Sequence, residues 1–434
     1  MLIRNATLAD GRQRDVRVRG ETIAEVGRDL AEDDEHTIEA SGKRLFPGMM
    51  DVHVHFREPG YPHKETWDTG SRAAAAGGVT AVVDQPNTDP PTVDGAAFAQ
   101  KADFAADSII DWGINGGVTA DWDPDSLLAE RLFALGEVFL ADSTGDMGIE
   151  TGLFKEALRA ATDAGVTVTV HAEDADLFNE DARTRDDPDA WSAFRTAEAE
   201  AEAVERACEA AKQVDARIHI AHTSTPEGID IAADAGMTTE VTPHHLLLSR
   251  RDLDELGTFG RMNPPLRREK RRREVYDRVA DGTVDMIATD HAPHTTEEKD
   301  ASIWDAPSGV PGVETVLPLL LAEARDPDTA LTYERVRDLT AANPADVFDV
   351  PQKGAVEPGK DADLVLVDVT ETTEIRADDL HTDCGWTPFE GFEAVFPEWT
   401  MVRGTTVYER DPGGDVFYGH EGENVRDADA EVLE

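Results

Sequence analysis

Eight short apolar runs, separated by segments with helical periodicity, occupy most of this chain and limit the folds that it can adopt. The clearest helical segment covers residues 195–213, which are rich in Ala and Glu. Strands that alternate with helices favour a parallel sheet, so eight such repeats predict an α/β fold of the (β/α)8 barrel type. In that fold, functional residues lie at the carboxyl ends of the strands. The predicted strands cover residues 46–55, 79–84, 109–115, 134–141, 166–171, 216–222, 238–243 and 284–290.

Both ends of the chain depart from this pattern, because they contain short strand-like runs without intervening helices. Residues 1–45 and 353–420 have this character, with Gly and Pro at the expected turns. We expect the two ends to pair into one small β domain, with the barrel formed by residues 46–352. Residues 421–434 are polar and acidic, and we expect them to form a disordered tail.

The net charge of −49 is extreme, with 90 acidic residues against 41 basic ones. Such a chain repels nucleic acids and anionic membranes, so we expect neither as a partner. The acidic residues are spread along the whole sequence, which favours a halophilic surface adapted to high salt. Under this hypothesis the protein unfolds more readily as KCl is withdrawn, and equal stability without salt would contradict it.

No apolar run approaches the roughly 18 residues that a membrane-spanning helix needs, and no signal-peptide stretch opens the sequence. We therefore expect a soluble, cytoplasmic protein. The two cysteines, Cys208 and Cys384, do not lie in a CxxC pair. This disfavours both a disulfide framework and a cysteine-ligated zinc site.

Histidines and one aspartate stand at the predicted carboxyl ends of four strands. His53 and His55 end the first strand, His171 the fifth, His222 the sixth and Asp290 the eighth. Side chains alternate along a strand, so the first two share one face and can bind the same metal ion. Each histidine alone is compatible with a structural role, but a barrel brings all five residues together. Imidazoles with a carboxylate favour Zn²⁺, with Co²⁺, Mn²⁺ and Fe²⁺ as alternatives.

Four motifs carry a resemblance to a known family: HVHFREPG at 53–60, PNT at 86–88, NPPLR at 263–267 and DHAPH at 290–294. With them the chain resembles the amidohydrolase superfamily and, within it, the dihydroorotases of the bacterial and archaeal monofunctional type. The resemblance covers essentially the whole chain. It implies a TIM barrel with a small β-sandwich domain formed from both termini.

The resemblance also implies an activity, the reversible metal-dependent cyclisation of N-carbamoyl-L-aspartate to L-dihydroorotate in pyrimidine biosynthesis. The partner would then be a small-molecule substrate, and assembly into a homo-oligomer is left open. Allantoinases and hydantoinases, which open cyclic amides with the same metal chemistry, are the alternative enzymes; Asn87 and His294 disfavour them. A non-catalytic scaffold is the least favoured alternative, because such relatives lose ligands that this chain retains.

The family's metal ligands can be carried over residue by residue, for two divalent ions that we expect to be Zn²⁺. His53, His55 and Asp290 would hold the first ion, and His171 and His222 the second. Asp290 would also act as general base and then as general acid, by taking a proton from water and passing it to the leaving ring nitrogen.

The bridging ligand departs from the pattern of many relatives, which use a carboxylated lysine. No lysine occurs between Lys101 and Lys155. Some dihydroorotases use an aspartate instead, and we favour Asp142, with Glu137 as the alternative. If neither bridges, the site would hold a single ion or a loosely bound second one.

The resemblance assigns two sets of polar residues to the substrate, one for its carboxylate and one for its pyrimidine ring. The first set is Arg57, Asn87 and His294, and the second is Asn263 with backbone groups at Ser308 and Gly309.

Overall fold

The computed structural model describes residues 1–140, 147–411 and 413–427. Eight parallel strands follow one another around a ring in their sequence order. Two parallel bridges complete the ring, between Gly116 and Leu135 and between Val54 and His291. The predicted (β/α)8 barrel is confirmed. Its strands are Met49–Val54, Val79–Asp84, Asp111–Ile114, Leu135–Leu140, Val168–Ala172, Ile218–Ile220, Thr238–Val241 and Met286–Ile287.

Each of these strands overlaps a predicted run and is mostly shorter, because the flanking residues pass into loops. The long predicted helix is observed at Ala197–Gln213, where the Thr196 side chain accepts a hydrogen bond from the Ala199 N–H. Such a cap satisfies one of the free amides at a helix start. The α-helices are Trp67–Ala76, Gly95–Ala105, Pro124–Leu127, Thr151–Ala164, Ala190–Phe194, Ala197–Gln213, Pro226–Ala235, Pro243–Leu247, Leu253–Leu256, Glu269–Asp281, Thr296–Lys299, Val316–Arg325, Tyr333–Arg337 and Asn343–Val347.

The barrel strands are buried on both faces, as expected for a parallel sheet covered by helices. In the strand Val79–Asp84, Val82 belongs to the large apolar cluster that contains residues of the surrounding helices. Its neighbours Ala81 and Val83 belong to a second cluster with Phe348. This burial explains why the strands appear in the sequence as continuous apolar runs.

Both termini contribute to one nine-stranded sheet, as the sequence predicts. The join is the antiparallel pairing of Arg44–Pro47 with Leu364–Val367. A separate apolar cluster, which includes Ile3, Leu45 and Leu364, forms the core of this domain. The strands of the sheet are Leu2–Leu8, Gln13–Arg19, Thr22–Gly27, Thr37–Glu39, Arg44–Pro47, Leu364–Val367, Trp399–Val402, Thr405–Asp411 and Gly414–Phe417.

Three short strands lie outside the barrel ring and the large sheet. Gly148–Ile149 pairs with the barrel strand Leu135–Leu140, and Thr373–Glu374 pairs with Glu393–Ala394. No helix in the described part of the chain is long and apolar enough to cross a membrane.

The segment that follows the large sheet packs against the barrel over residues 421–427. The Trp112 N–H donates to the Glu423 carbonyl, and the Val425 N–H donates to the Trp112 carbonyl. This contact differs from the expected disordered tail. Residues 428–434 lie outside the described part of the chain.

Candidate metal centre and substrate pocket

Four histidines and a glutamate meet at the carboxyl ends of the barrel strands. The Oε1 atom of Glu137 lies 2.7 Å from Nδ1 of His171 and 2.6 Å from Nε2 of His222. Its Oε2 atom lies 3.6 Å from Nε2 of His53. Two groups of side chains therefore place their nitrogen and oxygen atoms within 4.8 Å of one another, and Glu137 belongs to both. One group is His53, His55 and Glu137, and the other is Glu137, His171 and His222.

Asp290 joins the first group. Its Oδ1 atom lies 3.1 Å from Nε2 of His55 and 3.6 Å from Nε2 of His53. Thus the structure brings together the four histidines and the aspartate that the sequence predicts as ligands. Asp142 lies outside the described residues, whereas the alternative bridging residue, Glu137, lies between the two histidine pairs.

A local irregularity of the sheet directs Glu137 to this position. Between Leu135 and Val138 the strand has one more residue than the neighbouring strand has between Val168 and Val170. Such a bulge re-aims the side chains around it. Gly136, with φ of 147°, permits the bulge, because a Cβ atom there would lie 1.9 Å from Oγ1 of Thr169.

The carboxylates of this centre are ionised. Burial on its own would raise the pKa of Glu137, but His222 and His171 outweigh it and hold that pKa well below its usual value. Burial likewise opposes ionisation of Asp290, but His55 and His53 lower its pKa. An ionised carboxylate has no proton to donate. Both side chains can therefore bind a cation but cannot donate a hydrogen bond to an acceptor.

Neighbouring polar groups fix the ring orientations of His53 and His55. Nδ1 of His53 lies 2.7 Å from Oε1 of Glu240, whose other oxygen lies 3.0 Å from Nε2 of His219. Nδ1 of His55 lies 2.7 Å from Oδ1 of Asn87. These contacts direct both Nε2 atoms toward the centre, as outer partners do for metal-binding histidines.

A buried nitrogen without a partner tests whether the centre fits a metal ion. Nε2 of His53 has no hydrogen-bond partner within the described residues, although the side chain is only 2% exposed. Leaving a buried polar atom unpaired costs about 1–3 kcal/mol, so its presence points to a missing ligand. Imidazole nitrogens and ionised carboxylates are suitable donors for Zn²⁺ and related divalent ions. The residues present therefore fit the expected metal.

Three residues at this end of the barrel adopt a strained backbone conformation. Arg57, His222 and Asp290 have φ angles of 69°, 33° and 48°. Residues other than glycine rarely adopt positive φ, and such strain persists where the surrounding structure holds a functional geometry.

A cavity of about 380 Å³ opens directly above the two ligand groups. Every residue that the sequence analysis assigned to substrate lines it. Its lining residues are His55, Arg57, Asn87, Glu137, Phe139, His171, Trp191, Arg195, His222, Arg261, Asn263, Asp290, Ala292, His294, Pro307, Ser308 and Gly309.

One wall of the cavity is cationic. The Nε–H of Arg57 donates to the Pro293 carbonyl at 3.1 Å, and Nη2 lies 3.2 Å from Nε2 of His294. The Lys64 ammonium donates to Nδ1 of His294, while Nε2 lies 3.0 Å from the Ser308 carbonyl. Burial, together with Arg57 and Lys64, lowers the pKa of His294, so this imidazole is neutral.

A second part of the lining, the wall that adjoins His294, consists of Asn263 and the loop at Ser308 and Gly309. Oδ1 of Asn263 accepts a hydrogen bond from the Trp191 indole at 3.0 Å. Gly309 donates its N–H to the Arg261 carbonyl at 3.0 Å, so this amide is already used within the protein. Only glycine fits at 309, because its φ is 135° and a Cβ atom would lie 2.5 Å from the Ala292 carbonyl oxygen.

Among the lining residues that sequence reasoning did not assign, three have hydrogen-bonding side chains: Trp191, Arg195 and Arg261. Arg261 stacks on the Trp191 ring, with its guanidinium carbon 3.8 Å from the ring centre. Arg195 donates from Nε to Glu173 at 3.0 Å, and its Nη2 lies 3.4 Å from Nε2 of His171. The position of Arg261, two residues before Asn263, was the available signal, whereas Trp191 and Arg195 have no motif around them.

The model of the amidohydrolase family matches residues 44–407. The chain belongs to the amidohydrolase family. A curated dihydroorotase from Halobacterium salinarum is 62% identical over 98% of this chain and 99% of its own length. Another, from Methanosarcina acetivorans, is 41% identical over 98% of this chain and 95% of its own length. The resemblance found in the sequence is confirmed.

Solved structures of other members of the amidohydrolase family share the fold. L-Hydantoinase (dihydropyrimidinase) from Arthrobacter aurescens superposes with a TM-score of 0.91 at 26% identity, covering 97% of this chain and 98% of that one. D-Hydantoinase (dihydropyrimidinase) from a Thermus species gives a TM-score of 0.88 at 27% identity, covering 98% of both chains. The prediction of a barrel with a small β-sandwich domain is confirmed.

Proposed function

We infer that this protein is a dihydroorotase, which catalyses the reversible cyclisation of N-carbamoyl-L-aspartate to L-dihydroorotate. Its near full-length relatives carry that name, at up to 62% identity among those compared. The structural observation that carries the inference is one cavity that Arg57 lines together with members of both ligand groups. A fixed guanidinium suits the carboxylate that dihydroorotate carries and that dihydrouracil lacks.

We propose that the two ligand groups hold two divalent ions, with Glu137 shared between them. The unpartnered Nε2 of His53 supports this assignment, and the nitrogen and oxygen donors favour Zn²⁺. Such ions supply Lewis acidity, which acidifies water and polarises an amide carbonyl. The proposed ligands are His53, His55 and Asp290 for one ion and His171 and His222 for the other.

We assign the proton transfer to Asp290, which is ionised and lines the cavity. In ring opening, its carboxylate takes a proton from the attacking water and delivers it to the ring nitrogen that leaves the carbonyl carbon. In ring closure the same group takes the proton from the attacking ureido nitrogen and returns it to the departing oxygen. One group can serve in both directions because acid and base exchange roles when a reaction is reversed.

The two walls of the cavity suit the two ends of the substrate. We propose that Arg57, Asn87 and His294 bind the carboxylate, with the Nε2–H of His294 exchanging the Ser308 carbonyl for the substrate. Asn263 with the loop at Ser308 and Gly309 would bind the ring. The Gly309 N–H is already engaged with the Arg261 carbonyl, whereas the Ser308 carbonyl has a second lone pair that can accept from the ring. Acceptors match the ring N–H groups of dihydroorotate.

A hydantoinase is the second candidate, because the solved structures that superpose best among those compared carry that name. Their identity of 26–27% is far below that of the dihydroorotase relatives. The cationic wall formed by Arg57 also has no evident use for a hydantoin or dihydropyrimidine ring without a carboxylate. We therefore favour the dihydroorotase.

A turnover panel of dihydroorotate, allantoin and dihydrouracil tests this choice. The protein, supplied with Zn²⁺ in concentrated KCl, should open dihydroorotate far faster than the other two rings. The loss of dihydroorotate absorbance measures its rate of opening. Preference for allantoin or dihydrouracil would overturn the proposal.

The variant Arg57→Met tests whether Arg57 binds the carboxylate of the substrate. It should lower kcat/KM for dihydroorotate by about 10²-fold, because a charge-assisted contact of about 1.5–3 kcal/mol is lost. Any residual opening of dihydrouracil should not change, because that ring has no carboxylate. An equal loss on both rings would mean that Arg57 supports the centre rather than the carboxylate.

A further inference from the structure

Lys299 is a buried cation behind the ring-binding wall. It ends the short helix Thr296–Lys299 and has 0% exposure. Its Nζ donates to the carbonyl oxygens of Arg261, Pro307 and Gly309, each at 3.0 Å. An ammonium has three donors, so these acceptors use all of them. No salt bridge to Lys299 is found among the described residues, which sets it apart from the buried Lys101 and Lys353.

The three carbonyls belong to both parts of the wall that we assign to the ring. Arg261 lies two residues before Asn263, and Pro307 and Gly309 flank Ser308. The two segments also contact each other directly, because Gly309 donates to the Arg261 carbonyl at 3.0 Å. In addition, Nε of Arg261 donates to Oγ of Ser308 at 3.2 Å. Lys299 thus holds together two segments far apart in the sequence.

The same short helix also fixes the carboxylate-binding side. It begins with a capping box, in which Thr295 and Glu298 exchange hydrogen bonds between side chain and backbone. His294 precedes this box, and its Nε2 lies 3.0 Å from the Ser308 carbonyl. The His294 carbonyl in turn accepts a hydrogen bond from the Trp386 indole at 2.7 Å. The helix therefore links both ends of the substrate site.

We propose that Lys299 is a positioning residue that sets the spacing between Asn263 and the loop at Ser308 and Gly309, and so the fit of the ring. Lys299 does not line the cavity, so it acts through the carbonyls that it holds. The proposal rests on the proposed function for the identity of the ring. Its structural part, the joining of the two segments, does not depend on the substrate.

The variant Lys299→Met keeps most of the length of the side chain and removes the ammonium. We expect KM for dihydroorotate to rise about tenfold, with kcat changed less than threefold, because misplaced binding groups weaken substrate binding. Metal content should equal that of the wild type. The matched control is Lys353→Met, which removes another buried ammonium, 2.7 Å from Asp111, outside the cavity. This control should lower stability and leave KM unchanged.

Hydrogen exchange in the ligand-free protein gives a readout that does not depend on turnover. Peptides covering 258–263 and 303–310 should exchange about tenfold faster in Lys299→Met than in the wild type, and at the wild-type rate in Lys353→Met. If Lys299→Met does not fold, Lys299→Gln replaces it, because an amide retains two donors. Its effects on KM and exchange should be smaller and in the same direction.

The outcomes separate the two proposals. Wild-type turnover of dihydroorotate with an unchanged KM in the Lys299 variant overturns the positioning role and leaves the function standing. A fall in kcat with lost metal, at unchanged KM, also overturns it, because Lys299 would then act on the metal centre. A wild type that does not open dihydroorotate overturns the proposed function. If, in addition, hydrogen exchange at 303–310 is the same in Lys299→Met as in the wild type, the role of Lys299 is overturned as well.

Discussion

Two of the buried clusters of charged side chains in the described part of the molecule invite comparison, because they differ in the source of their cations. One is the centre at the carboxyl ends of the barrel strands. The other, which we call the junction cluster, consists of Asp111, Asp361, Asp363, Lys353 and Arg403, where the barrel meets the β-sandwich domain. Both contain groups of oxygen or nitrogen atoms within 4.8 Å of one another that could hold a metal ion.

The junction cluster already contains its positive charge. Nζ of Lys353 lies 2.7 Å from Asp111, 2.5 Å from Asp363 and 3.2 Å from Asp361. Nε of Arg403 lies 3.0 Å from Asp111 as well. Burial lowers the pKa of Lys353, but the three aspartates outweigh it and raise that pKa above its usual value. The cluster therefore supplies two positive charges of its own to its three carboxylates.

At the barrel centre, the salt bridges of Glu137 and Asp290 among the described residues are all to histidines, and Nε2 of His53 has no hydrogen-bond partner there. Close spacing of ligand atoms is thus common to both clusters, and it does not by itself identify a metal site. We interpret a built-in ammonium as the sign of a structural cluster, and an unpartnered imidazole nitrogen among further imidazoles and carboxylates as a place for an ion. The following experiments test this distinction.

The largest expected effect follows from Asp290→Asn. The amide cannot take a proton from water, so kcat should fall by about 10²–10⁴-fold while the protein still folds. The rate of dihydroorotate opening and the thermal midpoint measure the two properties. Asp111→Asn in the junction cluster is the control and should reduce stability without changing kcat. Near-normal turnover by Asp290→Asn would contradict the proposed acid and base role.

The bridging ligand gives the next effect. Glu137→Gln should weaken binding of at least one metal ion by more than the 10–100-fold typical of losing an outer partner. Asp142→Asn should retain both ions if Glu137 bridges. Elemental analysis after dialysis measures the ions per chain for each variant. Loss of metal from Asp142→Asn alone would reassign the bridge to Asp142.

The sequence predicted the fold well because the periodicities of strands and helices are local. It also predicted that five residues form one group, because the carboxyl ends of all strands in a barrel meet at one end of it, whatever the positions of the helices. These residues are His53, His55, His171, His222 and Asp290. Neither the periodicity of the elements nor the convergence of the strand ends requires knowledge of side-chain contacts.

The choice between Glu137 and Asp142 could not be predicted in the same way. It depends on the bulge between Leu135 and Val138, which interrupts the regular alternation of side chains between the two faces of the strand. Without that alternation, the direction of a side chain cannot be inferred from its position in the sequence. Lys299 was missed for a different reason. Its partners are three backbone carbonyls on separate segments, and such contacts leave no pattern of residue types.

A smaller effect is expected from Lys353→Met in the junction cluster. Removing one partner of a buried ion pair typically costs about 3–5 kcal/mol, so the denaturant midpoint should fall. Metal content at the barrel centre and KM should not change. The vacated carboxylates, Asp111 and Asp363 among them, should now respond to an external cation. Added Mg²⁺ should therefore stabilise this variant more than the wild type, and an equal response would weaken the distinction drawn above.

The smallest effect concerns the pH dependence of KM. Burial, with Arg261 and Arg57 nearby, lowers the pKa of Lys299 to about 7, and His294 also faces this amine. Below that pH the ammonium supplies three donors to three carbonyls; above it, the neutral amine supplies two. The wall should loosen as the proton is lost, so KM should rise about two- to threefold between about pH 6 and about pH 9. Lys299→Met has no proton to lose there, so the ratio of its KM to that of the wild type should shrink as pH rises. A ratio that stays constant over this range would show that Lys299 keeps its charge and joins the two segments equally well throughout.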